Sequence, residues 1–281
     1  MMNNSKTRLL MVLCLLTSFF ACSKKDEVKD PVITKKGLQL TTNAKFGAVL
    51  TDNAGKTLYF FAMDANGTSG CTGGCEALWS VYYSAELSDN AGINAADVGV
   101  ITRADGKSQN TYKGWPLYYY KNDVATGDIN GDGVGGIWFV GKADYSIMLV
   151  NNQLLGANGK QYTEALTEGP GITQYFTDGN GRTLYAFAPD KANKNTFTLA
   201  DLSNNSVWPL YESDVKSLPS VIKAEFVGQI TVFGRKQLTF KGWPLYYFGQ
   251  DAKRGDNKGV SVPTPGKWPV VKLSTAAAPL N

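Results

Sequence analysis

The chain has 281 residues, of which 19% are charged and 12% aromatic, and it contains no histidine. The absence of histidine excludes Ser-His-Asp and Cys-His nucleophiles, and also zinc, copper or haem bound through imidazole. With 28 basic and 24 acidic residues the formal net charge is only +4, so the basic surface that nucleic-acid binding requires is missing. We therefore expect no nucleic-acid partner.

The chain begins with the features of an exported lipoprotein. Lys6 and Arg8 precede an apolar run from Leu9 to Ala21, which at about 13 residues is shorter than the roughly 20 that span a bilayer as a helix. Cys22 follows the run directly and is predicted to become the lipidated, palmitate-carrying first residue of the mature chain. An ordinary signal peptide with an incidental cysteine is the alternative.

These features divide the start of the chain into a signal peptide, residues 1–21, and a lipidated cysteine with a flexible tether, residues 22–42. The charged run at residues 24–27 resembles the surface-export signal of some outer-membrane lipoproteins, or is a solvated spacer. The predicted location is the cell outer membrane, with a lipid anchor and a surface-exposed body.

A repeated aromatic motif organises the rest of the chain. The stretch KGWPLYYYKND at residues 113–123 returns as KGWPLYYFGQD at residues 241–251. Reduced to Tyr-x-aromatic-x-x-Asp, the motif occurs twice more, at residues 59–64 and 185–190. Corresponding positions in the two halves lie 126 to 130 residues apart, which predicts two homologous units. We place them at residues 43–150 (unit 1) and residues 151–281 (unit 2).

The predicted fold class is mainly β, with two antiparallel β-rich repeat units built from hairpins and meanders. Turn residues flanked by apolar strands predict hairpins at residues 48–61, 100–112, 173–187 and 229–240. In the first motif both faces of the strand are apolar, since Leu58 and Phe60 alternate with Tyr59 and Phe61. Such strands are expected to be covered on both sides.

Cys71 and Cys75 lie in a Gly-rich loop that can bend enough to bring their sulfurs together. In an exported protein this favours a local disulfide. Metal capture and thiol chemistry are the alternatives.

The four motifs, the Gly-Lys/Arg-Thr-Leu-Tyr turns, the Cys-Thr-Gly-Gly-Cys loop and the Lys-Gly-Trp-Pro-Leu-Tyr strands together resemble the bacterial secreted-repeat lipoproteins of unknown function. The resemblance covers nearly all of residues 46–271. It implies export, frequent lipid anchoring and no established activity. Unit 2 departs from the pattern because it has no cysteine pair.

The motif aspartates are expected to bond nearby backbone N–H groups and fix turns. A carboxylate pair for glycoside hydrolysis is the alternative. The residues are Asp64, Asp123, Asp190 and Asp251.

A calcium loop is a further alternative at Asp128, Asn130 and Asp132, which alternate as oxygen ligands do in such loops. Phe139 stands where an EF-hand has its bidentate glutamate, so a metal-free turn is the preferred interpretation. We expect no cofactor, with calcium and tyrosine-ligated haem as alternatives.

The aromatic residues of the two Lys-Gly-Trp-Pro strands are explained first by core packing. Their functional interpretation is an exposed platform for a glycan, a small flat ligand or a protein partner. The candidates are Trp115, Tyr118, Tyr120, Trp243, Tyr246 and Phe248.

The sequence thus predicts a non-catalytic binding or assembly component of a cell-envelope complex, attached to the outer membrane. The alternative is an enzyme. It would be either a carboxylate-based glycan-active enzyme or a thiol-redox protein that uses Cys71 and Cys75.

Overall fold

The computed structural model describes residues 35–280. The predicted signal peptide, Cys22 and most of the predicted tether lie outside these residues. The predicted fold class is confirmed, because the described residues form small antiparallel sheets and only short 3-10 helices. None of the helices within residues 35–280 is long and apolar enough to cross a membrane.

The strands of unit 1 form three sheets. β1 pairs with β2, β4 to β6 form a meander, and β7 returns to pair with β3. The strands are β1 (Gln39–Asn43), β2 (Gly47–Thr51), β3 (Tyr59–Phe61), β4 (Val98–Thr102), β5 (Ser108–Tyr112), β6 (Trp115–Pro116) and β7 (Trp138–Val140).

Unit 2 repeats this pattern with one added strand, β9. β8 pairs with both β9 and β10, while β11 to β13 form the second meander. The strands are β8 (Met148–Leu155), β9 (Gln161–Tyr162), β10 (Ile172–Thr177), β11 (Val227–Val232), β12 (Arg235–Phe240) and β13 (Trp243–Pro244). Single bridges from Tyr185 to Val270 and to Tyr246 stand where unit 1 has the β3–β7 pair and its bridge to Tyr118. β8 spans the position that was predicted as the boundary between the units.

Short 3-10 helices lie between the strands. They are Ala62–Asp64, Gly73–Cys75, Ala95–Asp97, Val134–Gly136, Ala224–Phe226 and Lys258–Ser261.

Two of the four predicted hairpins form. In the other two the predicted turn forms, but the predicted pairing of the flanking strands is wrong. β4 with β5 and β11 with β12 are regular hairpins. At residues 48–61 the turn closes, but only the Thr51–Thr57 bridge joins its arms, and the same holds at residues 173–187. The arms diverge because Tyr59 exchanges backbone hydrogen bonds with Tyr118 on one edge of β3, while β3 pairs with β7 on its other edge. β3 is therefore an inner strand of unit 1 and cannot also pair fully with β2.

β3 is also covered on both faces, as predicted, since Tyr59, Phe60 and Phe61 are all buried. A pair of stacked indoles lies beside it, with the ring centroids of Trp79 and Trp138 3.8 Å apart. Unit 2 has the same arrangement in Trp208 and Trp268, also 3.8 Å apart. Each unit is thus built around one tryptophan stack.

The two units join at the Lys-Gly-Trp strand of unit 1. The Trp115 indole N–H donates to the carbonyl of Gly179, in a turn of unit 2, at 2.9 Å. Arg254 of unit 2 places its guanidinium 4.7 Å from the centre of the Trp115 ring and donates to the Lys113 carbonyl at 2.6 Å. Gly114 leaves the space, since a Cβ there would lie 3.0 Å from the Arg254 guanidinium. The joint is therefore made of backbone carbonyls and one inserted arginine.

Residues 273–280 cover the corresponding surface of unit 2. The Trp243 indole N–H donates to the Ala276 carbonyl at 2.9 Å, as Trp115 does to Gly179. The Lys241 carbonyl accepts from the Ala278 N–H at 2.9 Å. The same two backbone and indole groups are thus satisfied in both units, by a neighbouring unit in one case and by this segment in the other.

Candidate functional site

The two motifs of each unit exchange hydrogen bonds between their tyrosines and aspartates. In unit 1 the Tyr59 hydroxyl donates to Asp123 Oδ2 at 2.5 Å, and the Tyr118 hydroxyl donates to Asp64 Oδ2 at 2.6 Å. Each motif therefore supplies the tyrosine of one pair and the aspartate of the other.

Unit 2 repeats the exchange. The Tyr185 hydroxyl donates to Asp251 at 2.6 Å, and the Tyr246 hydroxyl donates to Asp190 at 2.7 Å. Sequence reasoning did not find this pairing. One sequence feature could have indicated it: the motif occurs twice in each unit, and two copies are what reciprocal pairing requires.

The second oxygen of each motif aspartate accepts a backbone N–H bond from a residue six or seven positions further along the chain. The donors lie at 2.7 to 2.9 Å and are Gly70, Asn130, Thr196 and Lys258. Each aspartate thus links a turn of its own loop to a strand of the other motif.

Burial raises the pKa of these carboxyls. The pKa of Asp64 rises to about 7 and that of Asp251 to about 6, because both groups are removed from water. Burial also raises the pKa values of Asp123 and Asp190. Three of the four aspartates lie inside the protein, and only Asp123 reaches a surface cleft.

That cleft in unit 1 is the candidate functional site. It has a volume of about 370 Å³ and lies over the rings of Tyr119 and Tyr120, both half-buried. The Tyr119 hydroxyl donates to Asp52 at 2.9 Å, and the Tyr120 ring stacks on Trp79 with centroids 4.3 Å apart. The remaining lining residues are Lys56, Thr57, Ser80, Lys121 and Asp123.

In unit 2 an arginine covers the ring that corresponds to Tyr119. The Arg182 guanidinium lies 4.0 Å from the centre of the Tyr247 ring, and its Nη2 donates to the Phe248 carbonyl at 3.4 Å. Lys56 takes the place of Arg182 in unit 1 and is exposed. Within the described residues no cationic side chain lies over the Tyr119 ring, which lines the unit 1 cleft.

The predicted aromatic platform is wrong for four of its six residues. Trp115, Tyr118, Tyr246 and Phe248 are at most 1% exposed. Trp115 is covered by unit 2, the two tyrosines donate to buried aspartates, and Phe248 packs on Trp208. Core packing explains all four. Tyr120 and Trp243 are half-buried, and only Tyr120 lies against the cleft.

Cys71 and Cys75 form a disulfide, with their Cα atoms 5.3 Å apart. Cys71 is fully buried, and its carbonyl accepts from Arg103 Nη2 at 3.0 Å. The pair closes the loop whose Gly70 N–H bonds Asp64. The thiol-redox alternative stays a prediction.

The side chains of the candidate calcium loop bond protein groups. Asp128 accepts from two backbone N–H groups of its own turn, at 2.8 and 3.0 Å. Asp132 accepts from the Val140 N–H at 2.9 Å, and the Asn130 amide donates to the Asn122 carbonyl at 3.1 Å. Within residues 35–280 no three histidine, cysteine or acidic side chains are grouped to hold a metal ion. The calcium and haem alternatives stay predictions.

Fold and site together define a class of protein: a tandem β-repeat protein whose units are each closed by two reciprocal Tyr–Asp bonds. A family model described as a secreted repeat of unknown function matches residues 40–82, 99–142 and 231–272. The chain belongs to this secreted-repeat family, and the resemblance seen in its motifs is confirmed. No curated protein and no solved structure matches the chain.

The family matches do not include residues 143–230, which hold the motif from Tyr185 to Asp190. The hydrogen bonds of that motif are nevertheless those of unit 1. The structure therefore confirms the fourth motif seen in the sequence, which lies outside the family matches.

Proposed function

We propose that the protein is a non-catalytic binding component of the cell envelope, attached to the outer membrane by a lipid on Cys22 and exposed at the cell surface. The family description as secreted supports export, and the sequence from Lys6 to Cys22 supports the anchor. Mass spectrometry of the N-terminal peptide of the purified protein tests the anchor. An unmodified Cys22 would contradict it.

The binding site of this proposal is the unit 1 cleft, and its ligand is a glycan. The observation that carries the proposal is the Tyr119 ring, which lines the cleft with no cation over it, whereas unit 2 has Arg182 over Tyr247. A sugar ring packs its C–H groups on an aromatic face and both donates and accepts hydrogen bonds through its hydroxyls. The cleft presents both kinds of partner, with Asp52 and Asp123 as acceptors and Lys56 and Lys121 as donors.

Binding rather than catalysis is favoured by how the two cleft carboxylates are held. Asp52 accepts from the Ala54 and Lys56 N–H groups and from the Tyr119 hydroxyl. Asp123 accepts from Asn130 and Tyr59. Both are fixed as acceptors by several donors, which suits recognition of a hydroxyl.

A glycan-active enzyme is the second candidate. It is favoured by the presence of two carboxylates in one cleft and by the burial that raises the pKa of Asp123. Release of reducing ends from a glycan that the protein binds would support this candidate over the first.

The test is a binding screen of the purified protein against oligosaccharides of glucose, galactose, mannose and N-acetylglucosamine. We expect at least one to bind, and Lys56→Arg to weaken that binding at least tenfold because the longer guanidinium covers Tyr119. Lys253→Arg, at an exposed position outside the cleft, is the matched control and should bind as the wild type does. No binding by the wild type, or equal binding by Lys56→Arg, would overturn the proposed site.

Membership of an envelope complex has a separate test. The protein is extracted from outer membranes in a mild detergent, purified, and its companions are identified by mass spectrometry. A stoichiometric membrane protein supports an assembly role. A protein that purifies alone limits the proposal to ligand binding.

A further inference from the structure

A second opening, larger than the cleft, lies where the two units meet. It is a groove of about 770 Å³ between the β1–β2 turn of unit 1 and residues 215–224 of unit 2. Lys142 and Asp144, which follow β7, line its remaining side. It shares no residue with the glycan cleft, so an inference about it does not depend on the proposed function.

The lining of this groove has more positive than negative side chains. Lys45, Lys142 and Lys216 line it, and Asp144 is the acidic residue among its lining. Asp144 already accepts from the Ser217 hydroxyl at 2.5 Å. Among residues 35–280, no carboxylate lies within ion-pair distance of any of the three lysines.

Lys142 is the lysine most firmly placed. Its side chain is half-buried, and its ammonium donates to the Leu218 carbonyl at 3.4 Å. The ammonium also lies 5.6 Å from the centre of the Tyr145 ring. Asp132 and Asp144 attract this ammonium, but neither carboxylate lies within ion-pair distance of it. Partial burial of an ammonium without a direct carboxylate partner is unfavourable. An anion beside Lys142 would remove that cost.

Several other side chains that line the groove are apolar. Phe46 is half-buried at the turn of unit 1, while Val215 is 41% exposed on the opposite wall. Leu218 and Ile222 complete the apolar lining, with Lys45 placed 4.8 Å from the centre of the Phe46 ring. The groove lining thus combines three lysines with several apolar side chains.

We propose that this groove binds an anionic amphiphile, a single acyl chain that carries a carboxylate or phosphate group. The anionic group lies between Lys142 and Lys216, and the chain lies over Phe46, Val215 and Ile222. Removal of each methylene of the chain from water is favourable, so a chain of moderate length adds to the attraction of the charges. The groove volume falls in the range of about 300 to 1,000 Å³ that is usual for small-molecule sites.

The test uses the full protein, purified in a neutral detergent, and a photoreactive diazirine derivative of lauric acid. After irradiation, peptide mass spectrometry locates the label. We expect labelling of residues 45–48 and 215–224. The glycerol ester of the same acid, which lacks the charge, should label these peptides at least fivefold less.

The double variant Lys142→Met/Lys216→Met keeps the apolar stems and removes the two charges. It should lose at least tenfold of the labelling, while the control Lys253→Met keeps it. Circular dichroism checks that the variants are folded. If the double variant does not fold, excess unlabelled dodecyl phosphate added to the wild type replaces it and should suppress the label.

Three results would overturn the proposal. The first is absence of label from the groove peptides of the wild type. The second is equal labelling by the acid and its neutral ester. The third is complete suppression by inorganic phosphate alone, which would show an anion site in which the acyl chain has no part.

Discussion

Unit 1 and unit 2 have the same interior contacts and differ in the side chains at the surface above them. The tryptophan stack, the reciprocal Tyr–Asp bonds and the bond from the second tyrosine of the motif strand to the turn aspartate recur at nearly equal distances. The cleft above these groups is lined by Lys56 in unit 1 and covered by Arg182 in unit 2. A repeated scaffold thus leaves single surface positions free to decide which copy is accessible to a ligand.

The largest effect is expected from the tryptophan stacks. Trp138→Ala and Trp268→Ala should each lower the free energy of unfolding by about 3–5 kcal/mol, because both rings are almost fully buried. Urea denaturation of the purified variants measures this. Since the described residues form one compact unit, each variant should still unfold in a single transition. Two separate transitions would show that the units are independent.

The pH dependence of stability should come in part from Asp64. Its pKa in the folded protein is about 7, above the ordinary value of 3.8, so the neutral carboxyl is the stable form. Its stabilising contribution is complete below about pH 4 and is lost progressively as the pH rises from 4 through 7, by an amount on the order of 4 kcal/mol. Asp64→Asn stays neutral and should show a flatter profile between pH 4 and pH 8.

The control for this prediction is Asp201→Asn, at an exposed aspartate. It should keep the wild-type profile. If Asp64→Asn and the wild type lose stability in parallel over this range, Asp64 is not the group responsible.

The reciprocal Tyr–Asp pairing predicts changes of intermediate size in the free energy of unfolding. Tyr118→Phe should cost about 1–3 kcal/mol, because it leaves a buried carboxyl without its donor, and Tyr246→Phe should cost a similar amount. In a double-mutant cycle, Tyr118→Phe should couple with Asp64→Asn and not with Asp123→Asn of its own motif. Coupling within the motif instead would contradict the exchange.

The smallest effect is expected at the position that distinguishes the two clefts. Arg182→Lys should destabilise the protein by about 0.5–1 kcal/mol through loss of the contact with Tyr247. Lys56→Arg should shift stability by a similar amount in the opposite direction, because Tyr119 offers the same ring face. Thermal denaturation of the two variants compares them, and shifts of the same sign would contradict the equivalence of the clefts.

Much of the fold could be predicted because it depends on local patterns. The hairpins β4–β5 and β11–β12 follow from strand alternation around short turns, and the repeat from near-identical strings. The pairing of β3 with β7 could not be predicted in this way, because the two strands lie far apart in the chain. The residues of a short turn specify that the turn forms, but they do not specify which strands the flanking segments pair with.

The site was less predictable for a related reason. The aromatic residues of the Lys-Gly-Trp strands were identified correctly as a group, but sequence does not distinguish those that donate to buried aspartates from those at the surface. Tyr118 and Tyr120 are two residues apart and point to the same side of the chain, yet one is buried and the other borders the cleft. The cleft itself depends on Lys56, a residue type that is ordinary on any surface.

The way residues 273–280 cover Trp243 bears on how proteins of this kind can grow. The joint is heterologous, because the Trp115 strand of unit 1 meets the Gly179 turn and Arg254 of unit 2, and heterologous joints can be extended by further copies. A third unit would need only to present one carbonyl to the Trp243 indole and one donor to the Lys241 carbonyl, as Ala276 and Ala278 do. Gene duplication could therefore lengthen the array by exchanging one short segment, while every existing core stayed as it is.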